Sequence, residues 1–498
     1  MVQHLIILDK GKADCAYLGS SMMYLVLLFT ILLIWAVVYP LTDRALLSPP
    51  SLILLMLAFA SALSLIGCLY WNEVELSTSA YFVIVVGCLG VLVAALIARN
   101  LFLKNSSNKL KSPSRRIIVS IAHISASRWL VLSLFIVIAA LVNIQEMMML
   151  AQEAGYSVSN FMDAAQWARG NVTSLLTSGS GDADESYSAL ASGLAKIITF
   201  CGYASVIGIA AKIKDQQKNF SNYYAVALLL LLTVAFSLLK GGRDVVAHYV
   251  VAFLIALFAF YLVDSKNRAK TSMQFLKIGV IAVIIALPLF YFALELVGRV
   301  RSVSLLDYIS FYFGGGIPSL SVALEQFPLY FNDPVSGEKT FTQLYSLLNK
   351  IGLIGPVDAY ADTFVMLNGH SSNIFTCFYR YYCDFGYIGV FLFSGLATLV
   401  FSFCFKMLES SPSFAMKIIS VYICSYAADV AREEFVFSRL LSASLLWAII
   451  AGVIIGCVLM YKRNNENRSQ ELRNSNQQVV RDIVESEHAL CIAETKAK

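Results

Sequence analysis

AYFVIVVGCLGVLVAALIA, residues 80–98, is nineteen residues without a charge, and its reading decides the fold. At about 1.5 Å per residue a helix of this length reaches roughly 28 Å, close to the ~30 Å hydrocarbon core of a bilayer. The flanks give the run a direction. Glu73 and Glu75 precede it, whereas Arg99, Lys104, Lys109, Lys111, Arg115 and Arg116 follow it. Basic residues collect on the cytoplasmic side of membrane spans, so the run is expected to enter from outside and leave inside.

The same pattern recurs along the chain. Apolar runs lie near 22–40, 52–71, 80–98, 129–147, 188–211, 223–239, 245–263, 275–294, 387–405, 414–431 and 440–461. Further basic connectors hold Lys212 to Lys218, then Lys266, Arg268 and Lys270, and finally Lys462, Arg463 and Arg468. Placing all of them in the cytoplasm gives about eleven spans (ten to twelve), with the N-terminus outside and the C-terminus inside. Two long connectors, 148–186 and 295–386, then face outward. The first run follows Asp9, Lys10, Lys12 and Asp14 with no small-residue cleavage site after it, and reads as an anchor, not a removed signal peptide. The expected organisation is an all-α polytopic membrane domain over 1–461 and a polar cytoplasmic tail over 462–498.

Composition agrees. Of 498 residues, 58% are hydrophobic and 14% charged, with a mean hydropathy of +0.71, whereas an ordinary soluble domain carries roughly 25% charged residues. A soluble globular enzyme is excluded. The net charge of +5 is small and dispersed in connectors, which argues against nucleic acid as a partner. Ten cysteines without a CxxC pair or Cys/His ligand spacing indicate neither a disulfide framework nor a zinc site, and no metal or cofactor is expected.

Charges near the membrane are costly, so their positions carry information. The first three spans have none, and polar residues concentrate at the outer ends of later spans. Lys240-Gly-Gly-Arg243-Asp244 joins two spans and puts Arg243 outside, either as half of a turn-stabilising pair or as a fixed cation for an anion. Glu295, Arg299 and Arg301 close the eighth span, where the arginines either snorkel and pair with Glu295 or clamp a phosphate. The long outer loop, with Gly314-Gly-Gly316-Ile-Pro318 and much apolar content, is expected to fold over the outer mouth as helices and turns.

That loop ends in the densest chemistry: Gly369-His370-Ser371-Ser372-Asn373, Phe378-Tyr379-Arg380-Tyr381-Tyr382 and Asp384-Phe385-Gly386-Tyr387-Ile388-Gly389. His370 is the only histidine of either long outer loop, and is read as a structural hydrogen-bonder or a general base. The aromatics suit an interfacial belt or the apolar faces of sugar rings. Asp384 is expected to cap the following helix or hold Arg380. Two other groups, Arg169 and the cluster Asp429, Arg432, Glu433, Glu434 and Arg439, are read as structural ion pairs or, as the lesser alternative, as contacts to substrate.

At Gly241-Gly-Arg243-Asp244, Gly314-Gly-Gly316-Ile-Pro318, Tyr379-Arg380-Tyr-Tyr382 and Asp384-Phe-Gly-Tyr-Ile-Gly389 the sequence resembles the bacterial oligosaccharide repeat-unit polymerases, the Wzy-type O-antigen and capsule polymerases. The resemblance covers about residues 235–405. It implies a metal-independent glycosyltransferase of GT-C-like architecture in the bacterial inner membrane, with its active site facing the periplasm. Such an enzyme moves a growing glycan from undecaprenyl pyrophosphate onto the non-reducing end of a new lipid-linked repeat. Expected partners are that lipid-linked oligosaccharide, membrane lipid and a chain-length regulator protein. On this reading Arg299, Arg301, Arg380 and Arg243 bind the pyrophosphate, His370 is the base, and Asp384 and Glu295 support, with Glu325 a fallback base. An O-antigen ligase shares these requirements. A flippase instead needs polar residues inside the spans, for which Lys196 and His248 are the candidates.

Overall fold

A polypeptide inside hydrocarbon must satisfy its own backbone hydrogen bonds, and uncharged runs of about twenty residues do so as helices. The computed structural model describes residues 2–68, 75–103, 111–153, 155–157, 163, 188–216, 220–240, 243–265, 267–296, 304–326, 337–355, 364–367, 370–439, 442 and 445–461. Their long helices are α1 (Val2–Leu41), α2 (Pro49–Gly67), α3 (Thr78–Ala98), α4 (Lys111–Ala122), α5 (Ala126–Glu153), α6 (Ala189–Lys214), α7 (Phe220–Leu239), α8 (Arg243–Asp264) and α9 (Arg268–Leu296). Serines mark several starts. Ser77, Ser188 and Ser413 each accept a backbone N–H three residues on, which satisfies one of the free donors at a helix N-terminus.

Three short helices follow in the long loop: α10 (Leu305–Ile309), α11 (Gly316–Gln326) and α12 (Thr342–Lys350). A two-stranded antiparallel hairpin, β1 (Val365–Leu367) with β2 (His370–Ser372), adds a strand pair to the helices and turns expected there. Its alternation of buried Val365 and Leu367 about exposed Met366 is what a half-covered strand requires. Then come α13 (Phe378–Ser410), α14 (Phe414–Ser425, continued by a 3-10 turn to Ala428) and α15 (Leu445–Tyr461).

Among the described residues eight helices are long and apolar enough to cross a membrane, which makes this an all-α polytopic membrane protein. Helix α9 is unbroken but is not among the eight, and α14 and α15 are shorter apolar helices. Helix α13 begins nine residues before the expected span at 387. The early segment is possible because the helix breaks at Gly386, whose φ of 61° and ψ of −154° suit a residue without Cβ. Arg380 and Asp384 therefore sit on a helical turn, not in a loop.

The helix ends gather at two opposite faces. At one, Lys214 Nζ lies 3.1 Å from Asp264, Arg268 Nη2 3.7 Å from Glu409, and Arg128 donates to the Leu459 carbonyl at 2.6 Å. Two lysines are fully buried there; Lys212 donates to the Ala122 carbonyl and Lys417 to that of Leu408, each at 2.6 Å. At the other face Ser64 Oγ donates to the Gly314 carbonyl at 2.8 Å, and Ser188 Oγ to Glu146 at 2.7 Å. Helices α3 and α13 pack closely along each other, and there Ser394 Oγ donates to the Gly87 carbonyl at 3.0 Å. Small residues permit that approach between backbones.

Candidate functional site

The connector between α14 and α15 meets the start of α8, the 312–316 segment and the first turns of α13. Arg432 reaches α8, with Nη2 3.5 Å from Asp244 Oδ1, and its guanidinium lies 4.4 Å over the ring of Tyr312, just before the triple glycine. Gly316 lies under the Ala431 carbonyl; a Cβ there would stand 2.5 Å from the oxygen, so no side chain fits. From the base of α13, Cys377 N–H donates to the Val430 carbonyl at 3.0 Å and Tyr381 OH to Glu434 Oε1 at 2.9 Å.

Within this hub the charges form one network. Asp244 and His248 are four residues apart on α8 and share a face. Asp244 accepts from Tyr312 OH at 2.5 Å and pairs with Arg432; Arg432 Nη1 stands 3.6 Å from Asp429, which in turn contacts His248 Nε2. Burial alone would raise the Asp429 carboxyl, but His248, Arg432 and Arg439 hold it below the usual carboxylate range. Glu434 behaves oppositely. It is 2% exposed, and burial keeps it above its ordinary value although Phe437 N–H, Ser438 N–H and Tyr381 OH all donate to it.

Two arginine features are unspent. Arg432 Nε is buried without a hydrogen bond. Arg439 makes no side-chain hydrogen bond or ion pair among the described residues; its guanidinium lies 5.0 Å over Phe435 and 5.8 Å over Tyr426, whose rings stack at 3.5 Å. Asp429 and Arg432 thus form an ion pair, whereas Arg439 acts on Asp429 and Glu433 through space without a direct bond to either. A guanidinium held on an aromatic face, its five donors uncommitted, is a ready partner for a phosphate oxygen.

The other sequence-selected residues divide. Arg299 and Arg301 lie outside the described residues, as do Arg169 and the side chains of Arg243, Glu295 and His370. Glu325 is exposed near the end of α11. Arg380 Nη1 donates to the Lys339 carbonyl at 3.1 Å and to Thr342 Oγ1 at 3.0 Å. Asp384 neither caps a following helix nor pairs with Arg380; it accepts the Thr340 N–H at 2.6 Å and the Lys339 N–H at 3.4 Å. Both residues clasp the 337–342 turn. Tyr379, Tyr381 and Tyr382 are buried, so they form packing and not an interfacial belt.

His248, Asp429, Arg432 and Arg439 were undervalued because each has an ordinary explanation alone. The available signals were the i, i+4 spacing of Asp244 and His248 and the density of five charges between 429 and 439. Compared with known proteins, the chain matches no family model, no curated protein and no solved structure.

Proposed function

We propose that this chain is an integral-membrane glycosyltransferase that polymerises lipid-linked oligosaccharide repeat units, and that the 426–439 connector is the floor of its donor site. One observation carries the reading. Asp244, Gly316 and Tyr381, far apart in sequence, meet on a connector that also carries Arg432 and Arg439, the latter without a side-chain hydrogen bond among the described residues. A polyprenyl pyrophosphate donor needs cations at a membrane surface, a route for its tail into lipid and room for its glycan outside.

In this account the basic end of the bundle lies in the cytoplasm and the connector end in the periplasm of the bacterial inner membrane. Eleven spans then leave the N-terminus outside, with α9, α14 and α15 completing the eight longer ones in a GT-C-like arrangement. Arg439 and Arg432 bind the donor pyrophosphate, joined by Arg243, Arg299 and Arg301. They stabilise the charge that grows as the C1–O bond breaks. His370 takes the acceptor hydroxyl proton, the acceptor oxygen bonds to C1 with inversion, and undecaprenyl pyrophosphate leaves. Arg380 and Asp384 position the 337–342 turn and do not touch the diphosphate. His248, the imidazole that suited a transporter, is tied to Asp429 near the start of α8, which removes its support for a flippase.

The test is chain extension by purified protein given lipid-linked repeats. Polymers of increasing length are expected, and Arg439→Ala should lower their rate by about 100-fold, the loss that follows removal of one charge-stabilising donor. Product that forms only when lipid A core is added would replace the polymerase with a ligase. Movement of labelled lipid across vesicles without change in glycan length would replace it with a flippase.

A further inference from the structure

We propose that the basic end of the bundle holds one anionic phospholipid whose headgroup carries a hydroxyl, seated over the mouth of a small cleft of about 40 Å³. The cleft lies between the α1–α2 turn, the C-terminal ends of α3 and α13 and the N-terminal end of α9. This reading requires membrane insertion only and is independent of the glycan chemistry.

The walls are of two kinds. Pro49, Ala98, Phe102 and Phe405 are apolar, whereas Arg99, Arg268 and Lys406 set three positive charges against the single carboxylate of Glu409. Two positive charges are left in excess. Arg268 and Lys406 share that one carboxylate, Arg268 Nη2 at 3.7 Å and Lys406 Nζ at 3.8 Å, so a single negative charge answers two cations. Arg99 is exposed and makes no side-chain hydrogen bond or ion pair among the described residues. Glu409 Oε1, conversely, is a buried acceptor without a donor.

A ligand that completes this site must therefore bring an anion for the three cations and a donor for Glu409. A phosphate diester bearing a free hydroxyl, as in phosphatidylglycerol, brings both. A choline headgroup brings no donor, and a zwitterion leaves the two excess charges unanswered. The surface beside the cleft suits acyl chains, since Leu101 and Phe403 on the flanking helices are 58% and 49% exposed. Basic recesses between helices at a membrane surface attract anionic lipid in general, each Lys or Arg contributing roughly fivefold in affinity.

The experiment is native mass spectrometry of the purified full chain, titrated in neutral detergent with phosphatidylglycerol, phosphatidylethanolamine, phosphatidylcholine or inorganic phosphate. One phosphatidylglycerol per chain should be retained selectively. The double variant Arg99→Gln/Lys406→Gln should weaken it by roughly 30-fold. Arg99→Gln alone, at an exposed side chain with no hydrogen bond or ion pair among the described residues, should weaken it by about fivefold and keeps the test decisive if the double variant fails to fold. Equal retention of the three lipids, unchanged binding in the variants, or displacement of the lipid by an equal concentration of inorganic phosphate would each overturn the proposal.

Discussion

At Asp429 two forces oppose each other: its side chain is 17% exposed, which disfavours its charge, and His248, Arg432 and Arg439 nearby favour it more. Because its carboxyl is held below the ordinary value, ionised Asp429 stabilises the fold at neutral pH, and that contribution is lost as pH falls below about 4. Asp429→Asn should cost about 3 kcal/mol, since it strands Arg432 and His248, and should flatten the acid limb of a stability profile. Glu434 carries the reverse sign. With its carboxyl raised by burial, its contribution is greatest at low pH and is lost as pH rises through the folded value, so Glu434→Gln should flatten the loss on that side. Thermal unfolding of the purified variants between pH 3 and 8 distinguishes the two. Identical profiles for both variants and the parent would remove the network from the account of stability.

At the scale of elements, α13 does two tasks with one break. Before Gly386 its first two turns clasp the 337–342 turn through Arg380 and Asp384 and reach Glu434 through Tyr381; after it the helix runs along α3. A Cβ at φ 61° and ψ −154° is strained by about 1–3 kcal/mol, so Gly386→Ala should lower stability by that amount. Because the clasp is rebuilt at a different angle, it should also depress activity more than stability alone accounts for. An alanine variant with parental melting temperature and activity would show that the break is not needed. The long apolar runs announced α2, α3 and α5 to α8 nearly at their bounds, because an uncharged twenty-residue run has one stable form in lipid. The start of α13 was hidden, because polar Arg380 and Asp384 look like loop residues until their partners across the fold are known. The hairpin at 365–372 was hidden too, since three-residue strands leave almost no periodic trace.

For the whole molecule, the charge asymmetry that gave a direction in the sequence reappears as two opposite faces, one with buried Lys212 and Lys417 and the other with the 426–439 connector. In a cysteine-free background, single cysteines at Lys214 and Arg268 should be sealed from a membrane-impermeant thiol reagent in intact cells, and cysteines at Lys240 and Glu433 should react. Labelling of both sets from one side would break the bundle's orientation. Sequence pattern gave the membrane class because it is a bulk property of composition. It gave the wrong weight to Arg439 and His248 because pairing is a property of distance, and residues 248, 312 and 429–439 approach only when the helices assemble. Direct binding of undecaprenyl pyrophosphate to the purified chain and to Arg439→Ala tests the central claim most simply. The account predicts parental binding that weakens with salt and about a 100-fold loss in the variant. Equal affinity in both, with the variant folded, would contradict it.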